Sequence, residues 1–571
     1  MECWRPRVAG VLAGFTGSVL LFDFPRVVGG RLWLTSGRVT YLVGERFSFT
    51  GNTMLDLLFF VVSLFFLVYL AWEGARRSLR ILYVVLLPVV LVLAGSNYLV
   101  GSYVLLVVLL FSALIPFLVE RGVLRGFLGG VLVFMAGLGL AALLEIAGWI
   151  VTGETVAHPL PLLLILVDNY VVWMLSPLLL FIAGVLGGVA LVSPGYREKI
   201  TGFLRLGGDS SGEGFVGGWG WFPWVPLAML LGFIVTLVPY LPSVNPHGVP
   251  VTTDWVYYYK WLRDVDAVGL WGVLEQHMDR PLYIILLYGV ERLFHVDPRG
   301  IAVYQIFFLG QLYVVASYFL GRSLGGERVG VLSALLAAVS PGFLSFMYGG
   351  FQSDFFTVSI VYFALGLIAR AESGKRLVLG FIVFDLVMFL HEWTWTQYIL
   401  VLSLYAAVLV VREYRDGGVS SRGRLLLGLV VLSVLVDVAK SPLGVRWPSS
   451  IVRVTNASKN MYLHRGVVSS NHFLTTIYTG GSLNNPLYYV LVVLGSLFSG
   501  PLLGAVLFLG LTPFALLHYV ITYRVVVNTP LQVAGGLFAS RLSGLELLLL
   551  YISLLSVALV FVACIAYTPL V

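Results

Sequence analysis

The run Ile301-Ala-Val-Tyr-Gln-Ile-Phe-Phe-Leu-Gly-Gln-Leu-Tyr-Val-Val-Ala-Ser-Tyr-Phe-Leu320 gives way to Gly321-Arg322-Ser-Leu-Gly-Gly-Glu327-Arg328, after which Val329 to Met347 is apolar again. A run of some 20 apolar residues spans a bilayer as a helix, and a short basic link then returns the chain to the membrane. Working outward, the same alternation recurs along the chain. Candidate crossings precede it at 8–22, 54–71, 81–95, 102–119, 127–151, 173–192 and 225–241. Others follow at 355–370, 377–393, 397–411, 425–439, 487–499, 501–522 and 545–567. The expected fold is an all-α polytopic membrane protein with about 16 transmembrane helices.

Composition agrees. Of 571 residues, 59% are hydrophobic and 11% charged, with a mean hydropathy of +0.96. Soluble domains hold about 45–50% apolar and about 25% charged residues, so lipid is the solvent for most of this surface. The net charge of +7 fits basic cytoplasmic links rather than nucleic-acid binding. Cys3 and Cys564 stand at opposite ends and form no disulfide framework or metal pattern. His391-Glu392 lacks the second histidine of a zinc helix, and no nucleotide-binding fingerprint is present.

Two features divide the chain. Between Arg26 and Thr50, apolar and polar residues alternate between glycines, which predicts a short β element. From Ser193 to Gly220 the chain is polar and glycine-rich, including Gly207-Gly-Asp-Ser-Ser-Gly-Glu-Gly214. The expected organisation is an N-terminal membrane module of about six helices over 1–192, a cytoplasmic linker over 193–224, and a core over 225–571.

The links containing Arg76–Arg80, Arg121–Arg125, Arg197–Arg205, Arg322–Arg328, Arg370–Arg376 and Arg412–Arg424 are cytoplasmic by their charge. The parity holds throughout if Pro281–Phe294, broken by Glu291 and Arg292, lies along the outer surface as an interfacial helix. Both termini are then cytoplasmic. The two long links, Pro242 to about Pro298 and Lys440 to about Asn485, face outward.

Those outward segments hold the chemistry. The first long link carries Thr253-Asp254-Trp-Val-Tyr257-Tyr258 and, later, Arg280-Pro281-Leu-Tyr283. A carboxylate beside aromatic rings at the membrane boundary suits a general base acting on a hydroxyl, with the rings holding a sugar or lipid headgroup. Gln352-Ser-Asp354-Phe-Phe-Thr357 opens a later helix on the same side, and His391-Glu392-Trp393 lies at the outer end of another. The same residues equally fit plain helix caps and an interfacial aromatic belt. Between Asp437 and Glu546 no acidic residue occurs, whereas Lys440, Arg446, Arg453, Lys459, Arg465, Arg524 and Arg541 do. Such outward cations call for an anion, either a lipid-linked phosphate or the headgroups themselves. Asn456-Ala-Ser458 is a glycosylation triplet in the same link. Asp168, Asp385 and Asp437 fall in apolar segments without an assigned role.

This arrangement resembles the GT-C-type membrane glycosyltransferases, which include the protein O-mannosyltransferases and the lipid A aminoarabinose transferases. The residues that carry the resemblance are Thr253-Asp254-Trp255, Arg280-Pro281-Leu282-Tyr283, Gln352-Ser-Asp354-Phe-Phe-Thr357 and Phe538-Ala-Ser-Arg541-Leu542, within 225–567. The resemblance implies a GT-C-like core with interfacial helices in the first outward loop. It also implies sugar transfer from a dolichyl- or other polyprenyl-phosphate carrier on the extracytoplasmic face. Asp254 is then the base of an inverting displacement, with Asp354, His391, Glu392, Tyr257, Tyr258 and Arg280 lining the site. Arg541, with Arg446, Arg453 and Lys440, would hold the carrier phosphate. A divalent metal on Asp254 and Asp354 is open, because the family's paired acids in the first loop are here reduced to Asp254. The acceptor is a glycan, lipid or protein; membrane lipids are partners and nucleic acid is not. The chain has no Trp-Trp-Asp-Tyr-Gly string, which speaks against an oligosaccharyltransferase. A polyprenyl-lipid transporter or flippase, and a non-catalytic scaffold of the same fold, are the alternatives.

Overall fold

The computed structural model describes residues 124–153, 170–193, 223–440, 449–458, 485–512 and 519–567, with shorter pieces within 8–18, 32–43 and 80–89 and a few single positions between them. Six helices among the described residues are long and apolar enough to cross a bilayer: Gly126–Thr152, Pro298–Gly325, Glu327–Gly349, Gln352–Ala369, Glu392–Arg415 and Gly544–Ala563. The chain is therefore a helical membrane protein. The expected count of 16 crossings is not reached among these residues, because several apolar helices, such as Pro486–Ser496 and Pro501–Leu511, are shorter than a bilayer is thick. Most of the candidates at 54–71, 81–95 and 102–119 lie outside the described residues.

The chain forms two compact units. The first joins residues 1–175, 201–210 and 543–561. It contains an antiparallel hairpin, β1 (Leu32–Ser36) and β2 (Val39–Val43), with Trp33 opposite Leu42, where the alternation predicted a β element. Its helix α1 (Leu124–Thr152) meets the helical residues 8–18 through the rings of Phe15 and Phe134, whose centres are 5.4 Å apart.

The second unit joins residues 176–200, 211–542 and 562–571 and holds every candidate site residue that is described. In chain order its described helices begin with α2 (Tyr170–Val192, of which Ser176 onward belongs here), α3 (Trp224–Leu237), α4 (Trp255–Gln276), α5 (Pro281–Phe294) and α6 (Pro298–Gly325). They continue with α7 (Glu327–Ala337), α8 (Pro341–Gly349), α9 (Gln352–Ala369), α10 (Gly374–Leu390), α11 (Glu392–Arg415) and α12 (Ser421–Lys440). Next come α13 (Ser450–Ser458), α14 (Pro486–Ser496), α15 (Pro501–Leu511), α16 (Tyr519–Asn528) and α17 (Leu531–Ala539). Prolines open α5, α6, α8, α14 and α15, where the missing N–H is not needed. Asp297, Ser340 and Asn485 cap α6, α8 and α14 by accepting from Gly300 N, Phe343 N and Tyr488 N.

Helix α6 is the hub, packing against α3, α7, α9 and α17. Buried Tyr313 on α6 meets Phe343, Phe346, Phe355 and Tyr362, with ring centres 5.2 to 6.3 Å apart. Helix α5 has 14 residues, fewer than a bilayer crossing needs, and exposes Leu293 and Phe294.

Candidate active site

Two neighbouring turns bring the site together. Between α8 and α9 the chain turns at Gly350 in the left-handed region (φ 68°), and a Cβ there would sit 2.5 Å from Asp254 N. Only glycine meets both demands at no steric cost. Thr253 fastens the first link onto the same turn: its N–H donates to Tyr348 O at 3.1 Å and its hydroxyl to Gly349 O at 2.8 Å. The loop bearing Asp254 is thus pinned to the start of the helix bearing Asp354, about 100 residues later in the chain.

Asp254 precedes the first turn of α4 but makes no side-chain cap bond. Burial pushes its carboxyl up to about 6; the nearby Asp354 pushes the same way, and Arg280 and Arg524 pull it down. The carboxylate is therefore present at neutral pH with the basicity a general base needs.

Arg280 precedes α5 as Asp254 precedes α4. Its guanidinium donates to Asp279 Oδ2 at 2.7 and 2.5 Å and to Ser353 Oγ at 2.9 Å, and it lies 5.2 Å from the centre of the Trp261 ring. Burial raises the Asp279 carboxyl, but the Arg280 charge and hydrogen bonds outweigh it and leave it below its usual range. Buried Tyr258 closes this side: Ser353 N donates to its hydroxyl, and the Ser353 and Tyr258 hydroxyls lie 3.1 Å apart. The Asp279 carbonyl accepts from Glu392 N at 3.1 Å, tying the first link to the start of α11.

Asp354 lies in the first turn of α9 and is 3% exposed. Its Oδ1 stands 2.7 Å from His391 Nδ1 and accepts from the Thr394 hydroxyl at 2.8 Å. His391 joins α10 to α11 in an extended conformation and is 1% exposed. Behind Thr394, Asn528 on α16 donates to Thr394 Oγ1 at 3.4 Å and to Gln397 Oε1 at 3.0 Å.

Arg524 also lies on α16. Its guanidinium is held 5.3 Å from the Trp393 ring centre and 5.5 Å from that of Phe351. It makes no hydrogen bond or ion pair with any described residue. Its charge acts on Asp254, Asp354 and His391. A cation clamped by two rings, with its N–H fork unused, is suited to a phosphate.

The structure therefore brings together Asp254, Asp354, His391, Glu392, Tyr258 and Arg280 of the expected set. Tyr257 is not among them; it is 58% exposed beside fully buried Tyr258. Arg541 does not join them. It follows α17, with its guanidinium 4.0 Å from the Phe498 ring centre, and the adjacent Leu542 carbonyl accepts from Arg328 at the start of α7. Asp254 meets the turn beyond the far end of α8, so Arg541 and the site stand at opposite ends of the α7–α8 pair. Arg453 pairs with buried Glu392 at 3.3 Å. Lys440 is bound to buried Asp437 at 2.9 Å and to Ser450 Oγ at 2.5 Å. Both pairs tie α13 to its neighbours. Arg446 lies outside the described residues. Among the described residues no group of three or more His, Cys, Asp or Glu is placed to hold a metal, and Asp354 Oδ1 is engaged by His391 and Thr394. Sequence reasoning named Arg524 only among the outward cations, without placing it at the site, and missed Asp279, Ser353, Thr394 and Asn528 as site residues.

Residues 280–436 match the family model described as Oligosaccharyl transferase STT3, N-terminal. The match begins at the arginine of the site and runs through Asp354, His391 and Glu392 to the end of the α12 region. It supports a membrane glycosyltransferase of GT-C type, with no distinction among O-mannosyl, aminoarabinose and oligosaccharyl transfer. It also brings back the family that the missing Trp-Trp-Asp-Tyr-Gly string had argued against. No curated protein and no solved structure matches the chain significantly.

Proposed function

We propose that the protein transfers a sugar or glycan from a polyprenyl-phosphate-type carrier, such as a dolichyl one, to an acceptor on the extracytoplasmic face. The observation that carries this reading is the pairing, at one site, of Asp254 with Arg524, a partly buried base beside a cation that no described residue hydrogen-bonds or neutralises. The acceptor oxygen attacks the anomeric carbon as the bond from that carbon to the carrier phosphate oxygen breaks. The acceptor proton goes to Asp254, and the electron pair leaves with the phosphate, whose charge Arg524 meets. A single in-line displacement inverts the anomeric centre. Preorganised charge of this kind is commonly the largest catalytic contribution. The family match of residues 280–436 and the basic links at the opposite ends of the crossing helices support the class and the sidedness.

Binding of the carrier tests it. Dolichyl phosphate titrated onto the purified protein in nanodiscs should bind in competition with dolichyl-phosphate sugars, and Arg524→Gln should weaken it by tenfold or more. Equal affinity in Arg524→Gln and Arg541→Gln would contradict the phosphate site.

A further inference from the structure

We infer that His391 reads the transferred sugar, accepting a hydrogen bond from one of its hydroxyls at Nε2, and that Asp354 is a positioning residue that fixes the imidazole for this task. The inference rests on the glycosyl-transfer reading and names which residue of that site recognises the sugar.

The geometry around the ring is one-sided. Nδ1 lies 2.7 Å from Asp354 Oδ1 and 3.1 Å from Thr394 Oγ1. Thr394 gives its own proton to Asp354 and receives an N–H from Asn528, so the proton between His391 and Asp354 belongs to Nδ1. A carboxylate in this position fixes tautomer and orientation together. Nε2 is left with a lone pair, and this nitrogen is buried with no hydrogen-bond partner among the described residues. A buried acceptor without a donor is rare in folded proteins and is a place for a ligand to donate.

The surroundings specify that partner. Arg280 and Arg524 act electrostatically on His391, so a second cation is disfavoured there. An anion has a better place at Arg524, which has no ion pair among the described residues. A neutral lone pair beside two guanidiniums suits a neutral donor, and a sugar hydroxyl is the neutral donor a carrier-linked glycan brings. Recognition by one buried acceptor is also selective, since a sugar lacking that hydroxyl leaves Nε2 unpaired again.

The test uses the full chain in nanodiscs with 15N-labelled histidine, the His391 signals being those absent from His391→Gln. In the resting wild type, Nδ1 should carry the proton and Nε2 should be bare. Dolichyl-phosphate mannose, glucose and N-acetylglucosamine are then added in turn, with dolichyl phosphate as control. The Nε2 signal should move with at least one sugar carrier and stay put with dolichyl phosphate. In Asp354→Asn the tautomer should invert, and KM for that carrier should rise at least tenfold while dolichyl phosphate binds as before. A protonated Nε2 in the resting protein, an equal response to dolichyl phosphate, or no response to any sugar carrier would overturn the inference. The resting tautomer is read without substrate or variant, so it fails or holds independently of the transfer reaction. Full transfer by Asp254→Asn would instead overturn the base assignment and leave His391 untouched.

Discussion

The guanidinium of Arg524 lies 5.3 Å from the centre of the Trp393 ring, two residues after His391 in sequence, and no described residue bonds to it. The aromatic clamp fixes the cation without using its N–H groups, which are left for a ligand. Arg524 also lowers the Asp254 carboxyl, so under the proposed mechanism one residue governs both the leaving group and the base.

That coupling sets a pH signature. Asp254 must be ionised to accept a proton, and its carboxyl stands at about 6. kcat/KM for donor cleavage should therefore rise with pH to a plateau above that value. In Arg524→Gln, one of the two cations favouring the carboxylate is gone. The limb should move to higher pH, and the plateau kcat should fall by about 100- to 1000-fold. A pH–rate profile of both proteins checks this; an unmoved limb would separate Arg524 from Asp254.

Asp254 should also weigh against stability. Its carboxyl is raised from 3.8 to about 6, so its contribution to folding is present in full below the unfolded value and lost as pH rises through the folded one. Asp254→Asn should therefore unfold at a higher temperature than wild type at neutral pH and at the same temperature near pH 3. The two-unit shift sets a ceiling of about 3 kcal/mol, lowered by the partial exposure of the residue. Thermal unfolding in detergent at several pH values measures it.

The turn that seats Asp254 is a single residue. At Gly350 an alanine would need an unfavourable positive φ and would push against the Asp254 backbone N, 2.5 Å from the new Cβ. Gly350→Ala should lower stability by about 1 kcal/mol or more, and should lower kcat by more than that loss of folded protein explains, since a 1 Å displacement of a catalytic group costs on the order of 100-fold. Comparing kcat per folded molecule separates the two effects.

Lys440 is structural. It neutralises fully buried Asp437, which also accepts from Ser449 Oγ and Ser450 N at the start of α13. Lys440→Met should leave that carboxylate uncompensated and cost about 3 kcal/mol in thermal unfolding. Carrier-phosphate affinity in the protein that remains folded should be little changed, in contrast to Arg524→Gln.

The helices were legible because lipid imposes a length: runs such as 127–151, 300–320 and 329–347 reappear as α1, α6 and the α7–α8 pair. Asp254, Arg280, Asp354 and His391 were legible because charges at the ends of apolar runs are few. Arg524 was not. The run 501–522 reads as one crossing that ends before Arg524, whereas the described helix α16 (Tyr519–Asn528) carries Arg524 beside the site. Helix α17 has nine residues, too few for a length rule to recognise. It is nonetheless buried, because Gly495 of α14 lets the Ala534 backbone approach closely enough that a Cβ would fall 1.7 Å from its carbonyl oxygen. That helix carries Arg541 away from the site, and no periodicity in the sequence distinguishes the two arginines. The pairings Asp354–His391 and Arg280–Ser353 join residues 37 and 73 positions apart and become visible only once the turns at Gly350 and His391 are in place.

The most direct measurement is cleavage of the donor with water as acceptor. The purified protein in nanodiscs is incubated with radiolabelled dolichyl-phosphate mannose, glucose and N-acetylglucosamine, and the released sugar is counted and its anomeric form determined. Release of one of these sugars with inversion, falling about 100-fold or more in Asp254→Asn while that variant remains folded, is the expected result. Release by Asp254→Asn at the wild-type rate, or with retention, would contradict the central claim.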